Sequence, residues 1–168
     1  MPIQRLNHAV LYVRDVARSV AFYTEALGFR VVMEMPGQAA FLQAAGSTND
    51  HDLGLFAVGD RAGASTAGRS TVGLYHLAWE VDTLAELQRI SGVLTARGAL
   101  VGASDHGSTK ALYAQDPDGI EFEVSWLVPA ALLDPEQTIS TRPLHLEREI
   151  ERYGADTRGG VGVSVPTA

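Results

Sequence analysis

His8 in "LNHAVLYV" and His76 in "YHLAWEV" stand at matching points of two apolar runs. The runs overlay at one offset, 76 − 8 = 68 residues, which also brings Leu6 onto Leu74, Val13 onto Val81 and Ala17 onto Ala85. An imidazole without a partner is costly inside an apolar strand. A repeat of this length points to a duplicated unit, with the two histidines at equivalent positions. Near the end of the second copy, "IEFEVSW" adds Glu121 and Glu123. Strand alternation puts both carboxylates on one face and Phe122, Val124 and Trp126 on the other. Two histidines and one carboxylate from three strands make a facial triad. Such a triad leaves one side of a metal open and suits Fe(II) or Mn(II). Taken singly, each residue has a plainer reading: a core histidine bonded to a neighbour, or a solvated strand face.

The elements that must carry these groups are legible in outline. Residues 6–13 read as a strand. Asp15 caps a helix over "VARSVAFYTEAL", and Gly28 stops it. "RVVMEM" and "AAFLQA" read as strands around a Pro36-Gly37 turn, and "HDLGLFAV" as a fourth strand, giving β-α-β-β-β. The order then repeats. "GLYHLAWEV" is a strand, and Thr83 with Glu86 forms a capping box for "LAELQRISGVLTAR". Three strands follow, near 100–103, at "KALYAQ" and at "IEFEVSW", with Asp116-Pro117-Asp118-Gly119 turning between the last two. The reading divides the chain into a first unit at 1–58, a linker at 59–72, a second unit at 73–127 and a C-terminal extension at 128–168 with a short helix in "LHLEREIERY". The fold class is α+β, with two tandem βαβββ units forming a cupped, barrel-like mixed sheet and helices outside.

Bulk properties narrow the function. The chain has 168 residues and a net charge of −7, so it lacks the basic balance of a nucleic-acid binder. It has no cysteine, which excludes disulfides, thiolate ligands and a cysteine nucleophile. No apolar run reaches membrane-spanning length, and no signal-like pattern opens the chain, so a cytoplasmic protein is expected.

The paired units, "HAVLYVRDVARSVAFYTEALGF" and "ALYAQDPDGIEFEV" together resemble the vicinal oxygen chelate superfamily over residues 4 to about 127. That superfamily includes glyoxalase I, antibiotic-sequestering proteins and type I extradiol dioxygenases. The resemblance implies metal ligands at His8, His76 and Glu123, with Glu123 preferred to Glu121 because it matches the family's glutamate. "DHGSTKALYAQDPDG" most resembles the catechol 2,3-dioxygenase branch. There His51, His106 and Tyr113 match outer catalytic positions: a histidine on the first half's last strand, one before the hairpin and a tyrosine on it.

The resemblance therefore implies an extradiol ring-cleavage dioxygenase using Fe(II) or Mn(II), a catechol-type aromatic diol and O2. His51 would be its acid–base group, and Tyr113 would hydrogen-bond the substrate oxygen. His145 is left as a surface residue. A homodimer or higher homo-oligomer is expected, with the C-terminal helix offering an apolar stripe. Two alternatives stand beside this reading. A glyoxalase-type metal-dependent isomerase or lyase would take His51 as a fourth ligand. A metal-free drug-sequestering protein would have no use for the triad. Many extradiol enzymes carry two such pairs of units where this chain has one, so the C-terminal segment is a candidate for completing the pocket.

Overall fold

The computed structural model describes residues 2–3, 5–65, 67, 70–134, 140–161 and 163–164. Parts of the expected linker (66, 68–69) and of the C-terminal extension (135–139, 162, 165–168) lie outside the described residues. The chain divides into two compact units. The first is Met1–Ser65 with Asp116–Gly119, and the second is Thr66–Gln115 with Ile120–Ala168.

The first unit runs β1 (Ala9–Val13), α1 (Val16–Leu27), β2 (Arg30–Met35), β3 (Ala39–Gln43) and β4 (Leu53–Ala57). Its sheet has the order β1-β4-β3-β2, with β1 parallel to β4 and the other pairs antiparallel. The boundaries of α1 follow from its ends. The Asp15 side chain accepts from the Arg18 N–H, and Gly28 closes the helix in the left-handed region at φ +73°. Val16, Phe22, Tyr23 and Ala26 bury one side of α1 with Ala40, Leu42, Leu53 and Leu55 of the sheet. β1 alternates, with Leu11 and Val13 buried and Val10 and Tyr12 exposed.

The turn 116–119 belongs to this first unit, and its carboxylates explain why. Asp118 accepts from the Arg14 N–H and Nη1, both at 3.0 Å, and from Arg18 Nη2 at 2.6 Å. Asp116 accepts from the Tyr23 hydroxyl at 3.2 Å and from the Asp118 N–H at 2.8 Å. The "DPDG" motif is thus more than turn geometry, because both acidic side chains are spent on named donors.

The second unit repeats the order as β5 (Leu77–Val81), α2 (Leu84–Ala96), β6 (Leu100–Asp105), β7 (Thr109–Gln115) and β8 (Glu121–Leu127). It then adds β9 (Arg142–Pro143) and α3 (Leu146–Tyr153). The sheet order is β5-β8-β7-β6-β9, with β5 parallel to β8. Leu84, Leu87, Ile90 and Leu94 of α2 pack with Leu112, Phe122, Val124 and Trp126. The Thr83 side chain accepts from the Glu86 N–H as expected, while the Glu86 carboxylate binds Arg89 at 2.6 Å. Among the described residues the sheets number two, and neither closes into a barrel. No described helix is long and apolar enough to cross a membrane.

Two expectations need correcting. The strands holding the histidines start later than their apolar runs, so His8 and His76 each sit one residue before β1 and β5. Nor is the run around His76 fully buried: Leu74 and Tyr75 are exposed, and β5 alternates between half-buried and exposed.

Lys110, on β7, is fully buried. Its ammonium lies 2.5 Å from Asp105 Oδ1 and 3.0 Å from Glu149 Oε2 of α3. This network ties the C-terminal helix to the second sheet. Burial pushes the Asp105 carboxyl up, but Lys110 and the Gly107 N–H outweigh it and hold it below the usual range. A depressed carboxyl stabilises the fold above its unfolded pKa and loses that contribution as pH falls through the folded value. Urea unfolding should therefore find Asp105→Asn less stable than wild type at neutral pH. The gap should close on acidification below about pH 4. Lys110→Met should cost about 3–5 kcal/mol, because it strands buried carboxylates without their cation.

Candidate active site

The second unit assembles four of the six expected site residues. β5 and β8 run parallel in a register that sets Glu123 beside Ala78. Two residues earlier, the His76 ring reaches Glu123, with Nε2 3.2 Å from Oε2. Across the antiparallel pair, Tyr113 stands directly opposite Glu123. The Tyr113 hydroxyl is 2.9 Å from His106 Nε2, and its ring lies 5.8 Å from that of His76. The result is a continuous polar cluster: His76, Glu123, Tyr113, His106. Glu121 pairs with Gln115 instead. Burial, then the charge of Glu123, pushes the Tyr113 hydroxyl up; Tyr75 and a hydrogen bond to Glu123 add to it.

The first unit assembles the other two. The His8 ring lies 4.5 Å from the His51 ring, and His51 also meets the Phe41 ring edge at 5.1 Å. His51 stands two residues before β4, outside the strand that its run suggests. His8 Nδ1 is 2.7 Å from Asn7 Oδ1. An amide oxygen only accepts, so Nδ1 carries the proton, and in the neutral ring His8 Nε2 is left with its lone pair. His51 Nδ1 is 3.3 Å from Asp50 Oδ1. The largest influence on Asp50 is the bond from the His51 backbone N–H, which holds its carboxyl below the usual range.

Three features bear on a metal. His8 presents a bare Nε2. His76 Nδ1 is buried with no hydrogen-bond partner among the described residues. His76 Nε2 lies 3.2 Å from Glu123 Oε2, within hydrogen-bond reach when that nitrogen carries a proton. The donor set of two imidazoles and one carboxylate fits Fe(II) or Mn(II). Among the described residues, no group of three or more His, Cys, Asp or Glu side chains is arranged to hold a metal.

Sequence reasoning missed several neighbours. Asn7 and Tyr75 occupy equivalent positions in the two copies, each touching the histidine that follows it. The repeat offset contained that signal. Ser140 and Thr141 approach His106 Nδ1 at 3.2 and 3.3 Å, across a sequence gap that no local pattern reveals.

A duplicated βαβββ unit with a histidine ahead of each leading strand, and one carboxylate beside the second, defines a class of tandem-repeat α+β proteins. The chain belongs to the Glyoxalase/Bleomycin resistance protein/Dioxygenase superfamily, whose profile matches residues 5–124. It is 32% identical over 120 residues to a catechol-2,3-dioxygenase of Bacillus subtilis, covering 71% of this chain and 40% of that protein. It thus spans well under half the length of that relative. It is 33% identical over 160 residues to biphenyl-2,3-diol 1,2-dioxygenase 3 of Rhodococcus globerulus, covering 92% of this chain and 75% of the relative. Among solved structures, a glyoxylase/bleomycin resistance protein/dioxygenase domain from Frankia superposes with a TM-score of 0.64 at 23% identity, covering 76% and 94% of the two chains.

The Tyr113 environment gives a test that needs no activity. In metal-free protein, ultraviolet titration of wild type minus Tyr113→Phe should show this phenol ionising above ordinary tyrosine. In a Glu123→Gln background the ionisation should move back down. An unchanged value would mean that the carboxylate does not face the hydroxyl.

Proposed function

We propose that the chain is a metal-dependent extradiol dioxygenase that opens a catechol-type ring with O2. The observation that carries the reading is the polar cluster of the second unit. There a histidine–carboxylate pair suited to a metal is flanked by a hydrogen-bonded His106–Tyr113 pair. The dioxygenase names of the Bacillus and Rhodococcus relatives support it.

In this reading His8, His76 and Glu123 hold Fe(II) or Mn(II). The bound metal would supply Lewis acidity that favours the ionised diol, together with open positions for diol and O2. The protein's own groups do the rest. Asn7 keeps the His8 proton on Nδ1 and so keeps Nε2 available. Asp50 does the same for His51, freeing its Nε2 to take the proton of a substrate hydroxyl and return it later. Tyr113 and His106 offer a hydroxyl and an imidazole to the substrate oxygens from the Glu123 side. Holding the diol by both oxygens removes much of the entropic cost of orienting it.

One observation favours a second reading. The His51 ring lies so near His8 that His51 is a candidate fourth ligand, as a glyoxalase-type isomerase or lyase would use it.

Protein loaded anaerobically with Fe(II), then given catechol and O2, should consume O2 and develop a yellow ring-cleavage product. His51→Phe should keep its metal while turnover falls at least about 10²-fold, a usual worth for acid–base catalysis. Tyr113→Phe keeps the ring's packing and should cost less. Loss of metal from His51→Phe would favour the four-ligand reading. Glu123→Ala should fail to retain metal; full metal content in that variant would move the carboxylate role to Glu121.

A further inference from the structure

The segment after residue 139 turns back onto the second sheet beside the polar cluster. β9 pairs with β6 through Ser104–Pro143 and Asp105–Arg142, and Arg142 Nη2 lies 3.4 Å from Asp105 Oδ2. A few residues on, Glu149 of α3 reaches the buried Lys110, which itself binds Asp105. Asp105 is therefore held on one side by the sheet's own lysine and on the other by the returning segment. Its immediate neighbour in sequence is His106.

The returning segment also meets the His106 ring. The Ser140 carbonyl oxygen is 3.2 Å from Nδ1, and Thr141 Oγ1 is 3.3 Å from the same atom. A carbonyl only accepts, so this contact is favourable only when Nδ1 carries a proton. If Nδ1 were bare, two lone pairs would face each other. In the neutral ring Nε2 is then the acceptor, and the 2.9 Å contact with Tyr113 has the tyrosine donating.

We propose that Ser140 is a positioning residue whose backbone carbonyl locks His106 in its Nδ1–H tautomer and aims its Nε2 lone pair at the Tyr113 hydroxyl. Free imidazole side chains in water prefer the opposite tautomer, so the lock has a distinct signature. It also bears on the metal ligand. Tyr113 has one proton, and two acceptors compete for it: Glu123 and His106. The Ser140 carbonyl keeps the His106 acceptor open, so His106 shares the tyrosine proton with Glu123. The C-terminal extension then sets the proton arrangement of the cluster without touching substrate.

The role of His106 in catalysis rests on the dioxygenase reading; the tautomer lock does not. Nitrogen-15 NMR of the labelled protein, assigned with a His106→Asn variant, reports the tautomer directly. Wild type should show His106 as Nδ1–H. Arg142→Ala, which releases the anchor of β9, should shift the ring toward Nε2–H. Thr141→Val, which removes the hydroxyl and leaves the carbonyl, should keep Nδ1–H. An Nε2–H ring in wild type, or no change in Arg142→Ala, overturns the proposal whatever the activity. In the Fe(II) protein, Arg142→Ala should lower kcat roughly 10-fold with KM little changed, as expected when an outer partner of a site residue is lost. If no diol is turned over but wild type shows Nδ1–H, the functional reading fails and the lock stands.

Discussion

The parallel pairing of β5 with β8 is the constraint on which the second unit's site depends. A parallel pair cannot be closed by a tight turn, so the rest of the unit must be laid down between its two strands. Helix α2 and the β6–β7 hairpin are that connection. Once β8 returns beside β5, register does the remaining work. Glu123 falls next to Ala78, and the small Ala78 side chain leaves the carboxylate's neighbourhood open on that side. His76, two residues upstream at the head of β5, can then reach Glu123. A one-residue slip would turn Glu123 to the face that carries Phe122, Val124 and Trp126. That face packs against α2, where a carboxylate without a partner would be costly to bury.

The same scaffold in the first unit carries different side chains at the corresponding points. β1 and β4 pair in parallel, and Val10 falls beside Gly54 where Ala78 falls beside Glu123. Across the antiparallel neighbour, Phe41 opposes Gly54 where Tyr113 opposes Glu123. A Cβ on Gly54 would already stand 3.4 Å from the Val10 side chain and 3.7 Å from the Phe41 ring. A glutamate side chain would need space that these two groups fill. The first unit thus gives up the carboxylate and the hydroxyl, replacing them with a close apolar contact. It keeps the histidine at the head of β1 and adds His51 against Phe41. Duplication supplied two equivalent frames, and divergence left two different donor sets: imidazoles alone in one, imidazole with carboxylate and phenol in the other.

How much of this the sequence disclosed depended on whether the signal was local. The helix α1 was readable to the residue, because its cap and its stop act within one turn of the ends they fix. The repeat gave the β-α-β-β-β order twice and paired His8 with His76. Strand ends were less legible. An apolar run marks what prefers a sheet, but a strand begins where its partner begins, so both histidines fell outside β1 and β5. Long-range pairings were not legible at all. "DPDG" announced a turn, yet nothing local tells that Asp118 meets Arg14 and Arg18. β9 has two residues and no periodicity. Lys110 in "KALYAQ" looks like a solvated strand end, and its burial depends on Asp105 and on a helix nearly forty residues later.

Lys110 also shows why the C-terminal extension is not an optional tail for this cluster. A buried ammonium is tolerated only with its counter-charges in contact. One of the two, Glu149, comes from α3, so losing that helix would leave a lysine beneath the sheet with half its compensation. Asp105 is the shared node. It accepts from Lys110 and the Gly107 N–H, and Arg142 of β9 approaches it from outside. Any loosening of the extension is therefore felt first at Asp105, and the next residue along the chain is His106. The charge network that secures the helix and the hydrogen bonds that orient the imidazole meet at adjacent residues. Stability of the extension and geometry of the polar cluster are consequently one physical requirement.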